Sequence, residues 1–199
     1  MFADLLYAKL GGIGISDAQI AALEAHYHLL VRWNKALNLT KITEMQEAVE
    51  RHYLESLFLA SHLPPGAWRI ADVGSGPGFP GFPVAVVRPE FQVTLIESHQ
   101  RKAVFLREST RGMANVNVLA VRADKVEGKF DWVISRAVSY ESLGAALPNL
   151  APRVALLTGS ESPPSEWGFE WAAGIPVPGG TARFLRIGTI SPGTPRVKG

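Results

Sequence analysis

The sequence predicts an α/β fold in which helices cover both faces of a mostly parallel sheet. From residue 68 onward, short runs rich in β-branched and aromatic residues alternate with helical or loop segments. Two of those runs, WVIS at 132–135 and VALLT at 154–158, are almost continuously apolar, which is typical of parallel strands buried on both faces. A last run at 181–190 is expected to form an antiparallel strand at the edge of this sheet.

Helical periodicity precedes the sheet. Ser16 and Gln19 have the spacing of a capping box, and apolar residues at helical intervals follow, so a helix is predicted over 16–35. A second helix is predicted over about 45–62, because Pro64 lies directly beyond its apolar stripe. The first part of the chain is therefore expected to be a helical extension of the α/β fold.

The elements of the second part follow from the alternation. Strands are predicted over 68–73, 91–97, 116–121, 130–135 and 153–158. Helices are predicted over 81–87, 99–112 and 140–150. Residues 161–180 contain four prolines, so irregular connections and at most a short helix are expected there. We expect residues 1–65 to form the helical extension and residues 66–199 an α/β domain, the two behaving as one globular unit.

Composition narrows the function classes. The 199 residues include no cysteine, which excludes disulfides, thiolate metal sites and a thiol nucleophile. The net charge of +2 is too small for a broad basic surface, and the five histidines lack metal-binding spacing, so no metal is expected. There is no apolar stretch of roughly 18 residues and no signal-peptide pattern. We expect a cytoplasmic monomer that does not bind a membrane.

The segment DVGSGPGFPG at 72–81 carries the functional signal. It follows the first predicted strand, and its alternating glycines, Gly74, Gly76 and Gly78, allow the backbone to approach a ligand closely. Two prolines in the segment lack N–H donors and no G-K-[ST] follows, which disfavours a phosphate-binding loop. The spacing also departs from the G-x-G-x-x-G pattern of dinucleotide sites.

Glu97 ends the second predicted strand. A carboxylate at that position can accept hydrogen bonds from both ribose hydroxyls of a nucleoside. Together with the glycine loop it indicates a nucleoside ligand, although an ordinary turn and a solvated acid are the structural alternatives. An NAD-linked oxidoreductase uses the same strand, glycine loop and acid, so that function stays open on this evidence alone.

The loop resembles the first motif of class I S-adenosylmethionine-dependent methyltransferases. Over about residues 16–158 the sequence is similar to the glucose-inhibited division protein B family. The similar segments are WNKALNLTKI (33–42), RHYLESL (51–57), DVGSGPGFPGFPVAVVRPE (72–90), VTLIES (93–98), KAVFL (102–106) and FDWVISRA (130–137). The resemblance implies a class I, Rossmann-like methyltransferase fold and S-adenosyl-L-methionine as cofactor. It also implies methylation of guanine N7 in 16S ribosomal RNA, or in the small ribosomal subunit.

The resemblance also implies roles for individual residues. Gly74 and Phe79 would line the methionine end of the cofactor, Glu97 would hold the ribose, and the pair 123–124 would flank the adenine. Arg136, at the end of the fourth strand, would face the reaction centre as a catalytic residue. The residues implied to bind the cofactor are Asp72, Gly74, Gly76, Phe79, Glu97, Ala123, Asp124 and Arg136. A solvated acid is the alternative for Asp124, and a surface role the alternative for Arg136.

The residues after the fourth strand bear on the acceptor. Amine methyltransferases resemble one another in an Asn/Asp-Pro-Pro-aromatic motif there, whereas this chain has SRAV at 135–138. Pyrimidine C5 methylation needs a thiol, so a ring nitrogen or a hydroxyl remains. The lysine-glycine pair that usually ends strand five in the family is replaced by Thr158 and Gly159. That departure puts an RNA contact in doubt and leaves open a non-catalytic RNA-binding factor.

RNA contacts are expected from local basic groups, although a solvated helix face is an equal alternative. The candidates are Arg101, Lys102, Arg107 and Arg111 on one predicted helix, and Lys35, Lys41 and Arg51 in the extension. We expect the target base to be flipped or presented from a loop, with Phe79 or Tyr140 as a stacking face. His52 is expected either near the pocket or packed against the sheet.

Overall fold

A mixed sheet with helices on both faces forms the centre of the protein, in a computed structural model that describes residues 1–144 and 146–190. Within that part of the chain the strands run in the order β3-β2-β1-β4-β5-β8-β6, with β7 paired to β8. The strands are β1 (Arg69–Val73), β2 (Gln92–Ile96), β3 (Val116–Leu119), β4 (Trp132–Arg136), β5 (Arg153–Thr158), β6 (Glu170–Trp171), β7 (Ile175–Pro176) and β8 (Phe184–Thr189).

Strand directions confirm the predicted fold class. Strands β1 to β5 pair in parallel, and β8 pairs antiparallel with β5, placing Leu185 opposite Leu157. The two-residue strands β6 and β7 extend the sheet beyond β8, so β8 is not its outermost strand. The β3 strand ends at Leu119, two residues before its predicted end, and β8 begins three residues later than predicted.

Helices surround this sheet. They are α1 (Phe2–Tyr7), α2 (Asp17–Leu37), α3 (Met45–Ala48), α4 (Glu55–His62), α5 (Gly81–Val87), α6 (Gln100–Ser109), α7 (Tyr140–Gly144) and α8 (Leu147–Leu150). The capping box at the start of α2 is present, since the Ser16 side chain accepts from the Gln19 N–H and the Gln19 side chain accepts from the Ser16 N–H. A π-helical segment over Val49–Leu54 joins α3 to α4. No helix in the described part is long and apolar enough to cross a membrane.

Alternate residues of each central strand belong to two apolar cores, as the period of a strand requires. One core joins the sheet to α5, α6 and the N-terminal helices, and it includes Leu23, Leu57, Ile70, Phe82, Leu95, Phe105 and Ile134. The other core lies on the opposite face, under α7 and α8, and it includes Ala71, Val73, Ile96, Val133, Leu147, Leu156 and Trp167. The helical extension and the sheet therefore share a core.

Buried polar contacts also fix the N-terminal helices to the sheet. His26 of α2 is 2% exposed, and its ring stacks on Phe82. Its Nε2 lies 3.1 Å from the carbonyl oxygen of Pro77, and its Nδ1 lies 2.8 Å from the Tyr53 hydroxyl. Because a carbonyl oxygen only accepts, Nε2 carries the hydrogen and the Tyr53 hydroxyl donates to Nδ1. Burial lowers the pKa of His26 to about 3, so the ring is neutral.

A second polar cluster joins α4 to the end of β4. The buried Glu55 carboxylate accepts from Arg136 Nε at 3.1 Å and is also paired with Arg183. Arg136 Nη1 donates to His52 Nδ1 at 2.7 Å, and His52 Nε2 lies 3.0 Å from Thr40 Oγ1. Burial and the Arg136 charge lower the pKa of His52 to about 3, while burial raises the pKa of Glu55 against the pull of both arginines.

The buried ring of His26 predicts a pH dependence of stability. Below pH 6.5 an unfolded histidine binds a proton that the folded ring, with a pKa of about 3, does not bind. The free energy of unfolding therefore falls as the pH falls from 6.5 towards 3, by about 1.4 kcal/mol per pH unit from this group. We expect His26→Gln to reduce that slope by this amount in urea titrations between pH 6.5 and 4. His28→Gln, on the exposed side of α2, is the control, and equal slopes in the two variants would contradict the assignment.

The Glu55 cluster predicts a large loss of stability from a single change. Arg136→Met leaves the Glu55 carboxylate buried with Arg183 alone, so we expect the free energy of unfolding to fall by about 3 kcal/mol. The double variant with Glu55→Gln should lose less than the single one, because no buried carboxylate remains and the charge left without its partner, Arg183, is partly exposed. Arg69→Met removes an exposed pair with Asp131 and should cost below about 1 kcal/mol. Denaturant unfolding measures the free energy of unfolding of all three variants. A double variant that is less stable than Arg136→Met would refute the pairing of Arg136 with Glu55.

Candidate cofactor and acceptor site

The glycine loop between β1 and α5 is fixed by backbone hydrogen bonds. The N–H groups of Gly74 and Ser75 both donate to the carbonyl of Ile96, at 2.9 and 3.1 Å, and that of Gly78 donates to Ser75 at 2.7 Å. The φ angles of Gly74, Gly76 and Gly78 are 72°, 56° and 98°, in the region that favours glycine. The alternating glycines thus allow a tight turn directly above the end of β1.

Gly74 also lies against the end of β4. A Cβ atom built on Gly74 would come within 2.4 Å of Val138 Cγ2, closer than non-bonded carbons approach. The nearest atom to a Cβ on Gly76 would be 3.9 Å away, in ordinary contact. A side chain at Gly74 would therefore require Val138 or the loop to move, whereas at Gly76 only the backbone conformation favours glycine.

Asp72 lies beneath the loop. It is fully buried, and its Oδ2 accepts from the N–H of Gly81, the first residue of α5, at 3.0 Å. Burial raises the pKa of Asp72 to about 7. This carboxyl group therefore fastens α5 to β1, and it is not among the described residues that line a cleft.

Glu97 links the loop to the turn that precedes α6. Its Oε2 accepts from the N–H of Gly76 at 2.9 Å and its Oε1 from the N–H of His99 at 2.7 Å. The side chain is 7% exposed, and its neighbours in the chain, Ile96 and Ser98, both line the adjoining cleft. A carboxylate oxygen can accept two hydrogen bonds, so these contacts leave capacity for a ligand hydroxyl.

A cleft of about 330 Å³ opens at the carboxyl ends of β1, β2 and β3, where the strand order reverses between β1 and β4. Its lining comprises Val73, Gly74, Ile96, Ser98, Val121, Arg122, Ala123, Asp124, Val138, Glu141, Ser142 and Ala146. The volume is in the range of small-molecule sites, and ligands of open α/β sheets bind at this point. Of the predicted cofactor residues, Gly74, Ala123 and Asp124 line the cleft.

A second crevice, of about 340 Å³, adjoins the first at the ends of β4 and β5, and the two share Val138. Its lining comprises Ala137, Val138, Ser139, Tyr140, Leu157, Thr158, Gly159, Ser160 and Glu161. The Tyr140 hydroxyl donates to the Glu161 carbonyl at 2.8 Å. Ala137 has a φ of 56°, which is uncommon for a residue with a side chain and marks the junction of the two crevices as a constrained turn.

Two predicted site residues point elsewhere. Phe79 is 3% exposed and its ring stacks on His52, with centroids 4.4 Å apart, so its face is covered within the protein. The Arg136 side chain is 12% exposed and turned towards Glu55 and His52. Neither residue is among the described residues that line the two crevices. Tyr140 remains as the stacking candidate.

The basic residues predicted on α6 extend away from the cleft. Arg101 lies in the first turn, whereas Arg107 is about 9 Å further along the helix axis, and Arg111, beyond the helix, pairs with Glu108. Lys41 follows Thr40, whose hydroxyl lies 3.0 Å from His52 in the Arg136 cluster, and Arg122 is a basic residue of the cleft lining. Residues that sequence reasoning missed include Ser98, Arg122, Val138, Glu141 and Ser142, and the only signal for the last three was their place just after β4.

Comparisons with known proteins agree with this geometry. The family model of GidB, described as rRNA small subunit methyltransferase G, matches residues 19–149. A ribosomal RNA small subunit methyltransferase G from Xylella fastidiosa (strain M23) is 43% identical over 145 residues, which cover 72% of this chain and 63% of the relative. Another from Dichelobacter nodosus is 46% identical over 129 residues, covering 63% and 61%. The aligned region thus spans less than two thirds of each relative's length.

Solved structures show the same fold at low identity. An S-adenosylmethionine-dependent methyltransferase from Aquifex aeolicus superposes with a TM-score of 0.58 at 16% identity, covering 73% of this chain and 93% of its own. The pyocyanin biosynthetic protein PhzM superposes with a TM-score of 0.62 at 11% identity, covering 83% and 62%. The sheet is therefore of the Rossmann-like methyltransferase type. Since the family match extends over more than half of the sequence, the chain belongs to the rRNA small subunit methyltransferase G family.

Proposed function

We propose that this protein transfers a methyl group from S-adenosyl-L-methionine to N7 of a guanine in 16S ribosomal RNA. The observation that carries the proposal is the cleft at the strand-order reversal, where the glycine loop, the Glu97 strand end and the 123–124 turn converge. Family membership and the methyltransferase-type sheet support the same function.

The chemistry of the cleft fits the cofactor. The Glu97 carboxylate, between the cleft-lining Ile96 and Ser98, would accept from ribose hydroxyls. The turn at 123–124 would offer an adenine ring a backbone N–H and the Asp124 carboxylate, which also pairs with Arg122. At Gly74 the methionine end of the cofactor would face the protein backbone, because a side chain at this position would clash with Val138. When bound, the cofactor supplies a methyl group on a positively charged sulfur.

The second crevice is the proposed site of the acceptor base. It meets the cofactor cleft at Val138, so a base held between Tyr140 and the Thr158–Glu161 wall would lie beside the methyl donor. Guanine N7 has an in-plane lone pair and no proton, so the chain needs to supply no general base. Its contribution is placement, which can supply on the order of 7–11 kcal/mol of a barrier.

Arg136 has a supporting role in this proposal. Its guanidinium binds Glu55 and His52 on the side of the N-terminal helices, and the residues that follow it, Ala137 and Val138, form the junction of the crevices. We therefore assign Arg136 as a positioning residue that holds the end of β4, in place of the catalytic contact expected from the sequence.

The partner in this proposal is 16S ribosomal RNA, free or within the small ribosomal subunit, met by a monomer in the cytoplasm. Arg122 lines the cofactor cleft with an exposed side chain, so it is a basic residue available to RNA beside the crevices, whereas Lys41 lies next to Thr40 at the Arg136 cluster. Arg107 and Arg111 are more distant from the crevices along α6.

Nucleoside analysis tests the proposed function. The purified protein is incubated with methyl-labelled cofactor and with either naked 16S RNA or small subunits from a strain lacking the family enzyme. We expect label in N7-methylguanosine after digestion, and the same label is absent when the cofactor is omitted. Label in another nucleoside would refute the acceptor assignment. Saturable cofactor binding without any transfer would favour a non-catalytic RNA-binding factor, and NAD binding without S-adenosylmethionine binding would favour an oxidoreductase.

The glycine loop gives a matched pair of variants. Gly74→Ala should weaken S-adenosylmethionine binding at least about tenfold, because the new Cβ would clash with Val138 and displace it or the loop at the edge of the cleft. Gly76→Ala carries the same backbone penalty of about 1–2 kcal/mol in stability but has room, so its binding should change less. Val138→Ala should partly restore binding to Gly74→Ala. Titration calorimetry measures each dissociation constant, and equal losses in both glycine variants would contradict the steric argument.

A further inference from the structure

The groups that form hydrogen bonds with the backbone of the glycine loop come from two parts of the chain. Its N–H groups donate to Ile96, Ser75 and Glu97, all within the α/β domain. The carbonyl of Pro77, at the tip of the loop between two glycines, instead accepts from His26, which lies on α2 of the N-terminal extension. Proline has no N–H, so this carbonyl is the hydrogen-bonding group that the backbone offers at that position.

The His26 ring sits directly against the loop. Its Nε2 is 3.1 Å from the Pro77 oxygen, and a Cβ built on Gly78 would come within 3.3 Å of the same nitrogen. The Pro77 carbonyl only accepts, so Nε2 carries the hydrogen, and the Tyr53 hydroxyl, 2.8 Å from Nδ1, donates to that nitrogen. The contact therefore has a defined donor, a defined acceptor and no spare room.

Aromatic packing holds the ring in that position. It stacks on Phe82 at 4.1 Å and 22°, and it meets Phe79 edge-on at 5.4 Å and 88°. Phe105 approaches from α6 at 5.7 Å. With 2% of the residue exposed, the ring cannot turn without disturbing the core, so the Pro77 carbonyl has a fixed partner.

We propose that His26 is a positioning residue for the cofactor loop, so that the N-terminal helical extension completes the cofactor site through the carbonyl of Pro77. The hydrogen bond and the surrounding rings set the height of the loop tip above the end of β1. Loss of the donor would leave the half-buried Pro77 carbonyl without its partner and release the segment from Gly76 to Gly78. The expected effect on cofactor affinity rests on the proposed function, whereas the expected effect on hydrogen exchange in the loop does not.

Hydrogen–deuterium exchange of the free protein tests the loop effect without any ligand. His26→Phe keeps a ring but removes the donor, and we expect at least about tenfold faster exchange in peptides covering 74–82, the loss of about one hydrogen bond. His26→Gln keeps an N–H donor at the Nε position and should remain near wild type. His28→Phe, the same change on the exposed side of α2, should leave the loop unchanged. Unchanged exchange in His26→Phe would overturn the proposal, as would equal acceleration in His26→Gln.

Cofactor affinity gives the second readout. We expect His26→Phe to raise the dissociation constant for S-adenosylmethionine about tenfold and His26→Gln to raise it less than about threefold. Tyr53→Phe removes the hydrogen bond to Nδ1 that helps to hold the ring, so its dissociation constant should lie between those of the two His26 variants. It also tests the contact if His26→Phe does not fold. Faster loop exchange with unchanged affinity would refute the link to the cofactor site. A wild-type protein that binds no S-adenosylmethionine would refute the proposed function, while the exchange data still decide the role of His26.

Discussion

The buried contacts between the N-terminal helices and the carboxyl edge of the sheet are the constraint on which the site depends. Glu55 holds Arg136 of β4 and Arg183 before β8, and His26 holds the loop after β1. Desolvating these groups is costly, so each contact is favourable only while all its partners stay in place. The helices thereby fix the positions of the strand ends that border both crevices.

This arrangement suits a reaction whose main demand is placement. The glycine loop is held by backbone groups, by Glu97 beside it and by Asp72 beneath it, and the cleft is bordered by strand ends that have little freedom to move. Few of the lining side chains carry charge, and those that do lie at 122–124 and at Glu141 and Glu161. A preformed site of this kind orients two reactants without having to supply an acid or a base.

The sequence predicted strands β1 to β5 and β8, the glycine loop and the capped α2, because each depends on local pattern: apolar runs, spaced glycines or a Ser-x-x-Gln box. It did not predict the two-residue strands β6 and β7. It predicted α1 not at all, since a six-residue helix owes its stability to the burial of Phe2 and Leu6. The directions of Phe79 and Arg136 also escaped prediction. Arg136 ends β4 and Phe79 lies in the glycine loop, as the sequence indicates, but the side that each faces is decided by helices distant in sequence. The family resemblance indicated which positions in the sequence belong to the site, whereas the directions of the side chains depend on tertiary packing.

The π-helical segment Val49–Leu54 allows two consecutive side chains to contact groups at the ends of two different strands. His52 reaches the end of β4 through Arg136, and Tyr53 reaches the glycine loop through His26. A π turn holds one more residue than an α turn, and this surplus brings adjacent positions inward together. Deleting one residue from this segment would shorten the helix by only one residue, yet it would rotate either His52 or Tyr53 away from its hydrogen-bond partner. Natural or engineered variants of this segment should therefore accept substitutions more readily than changes in length.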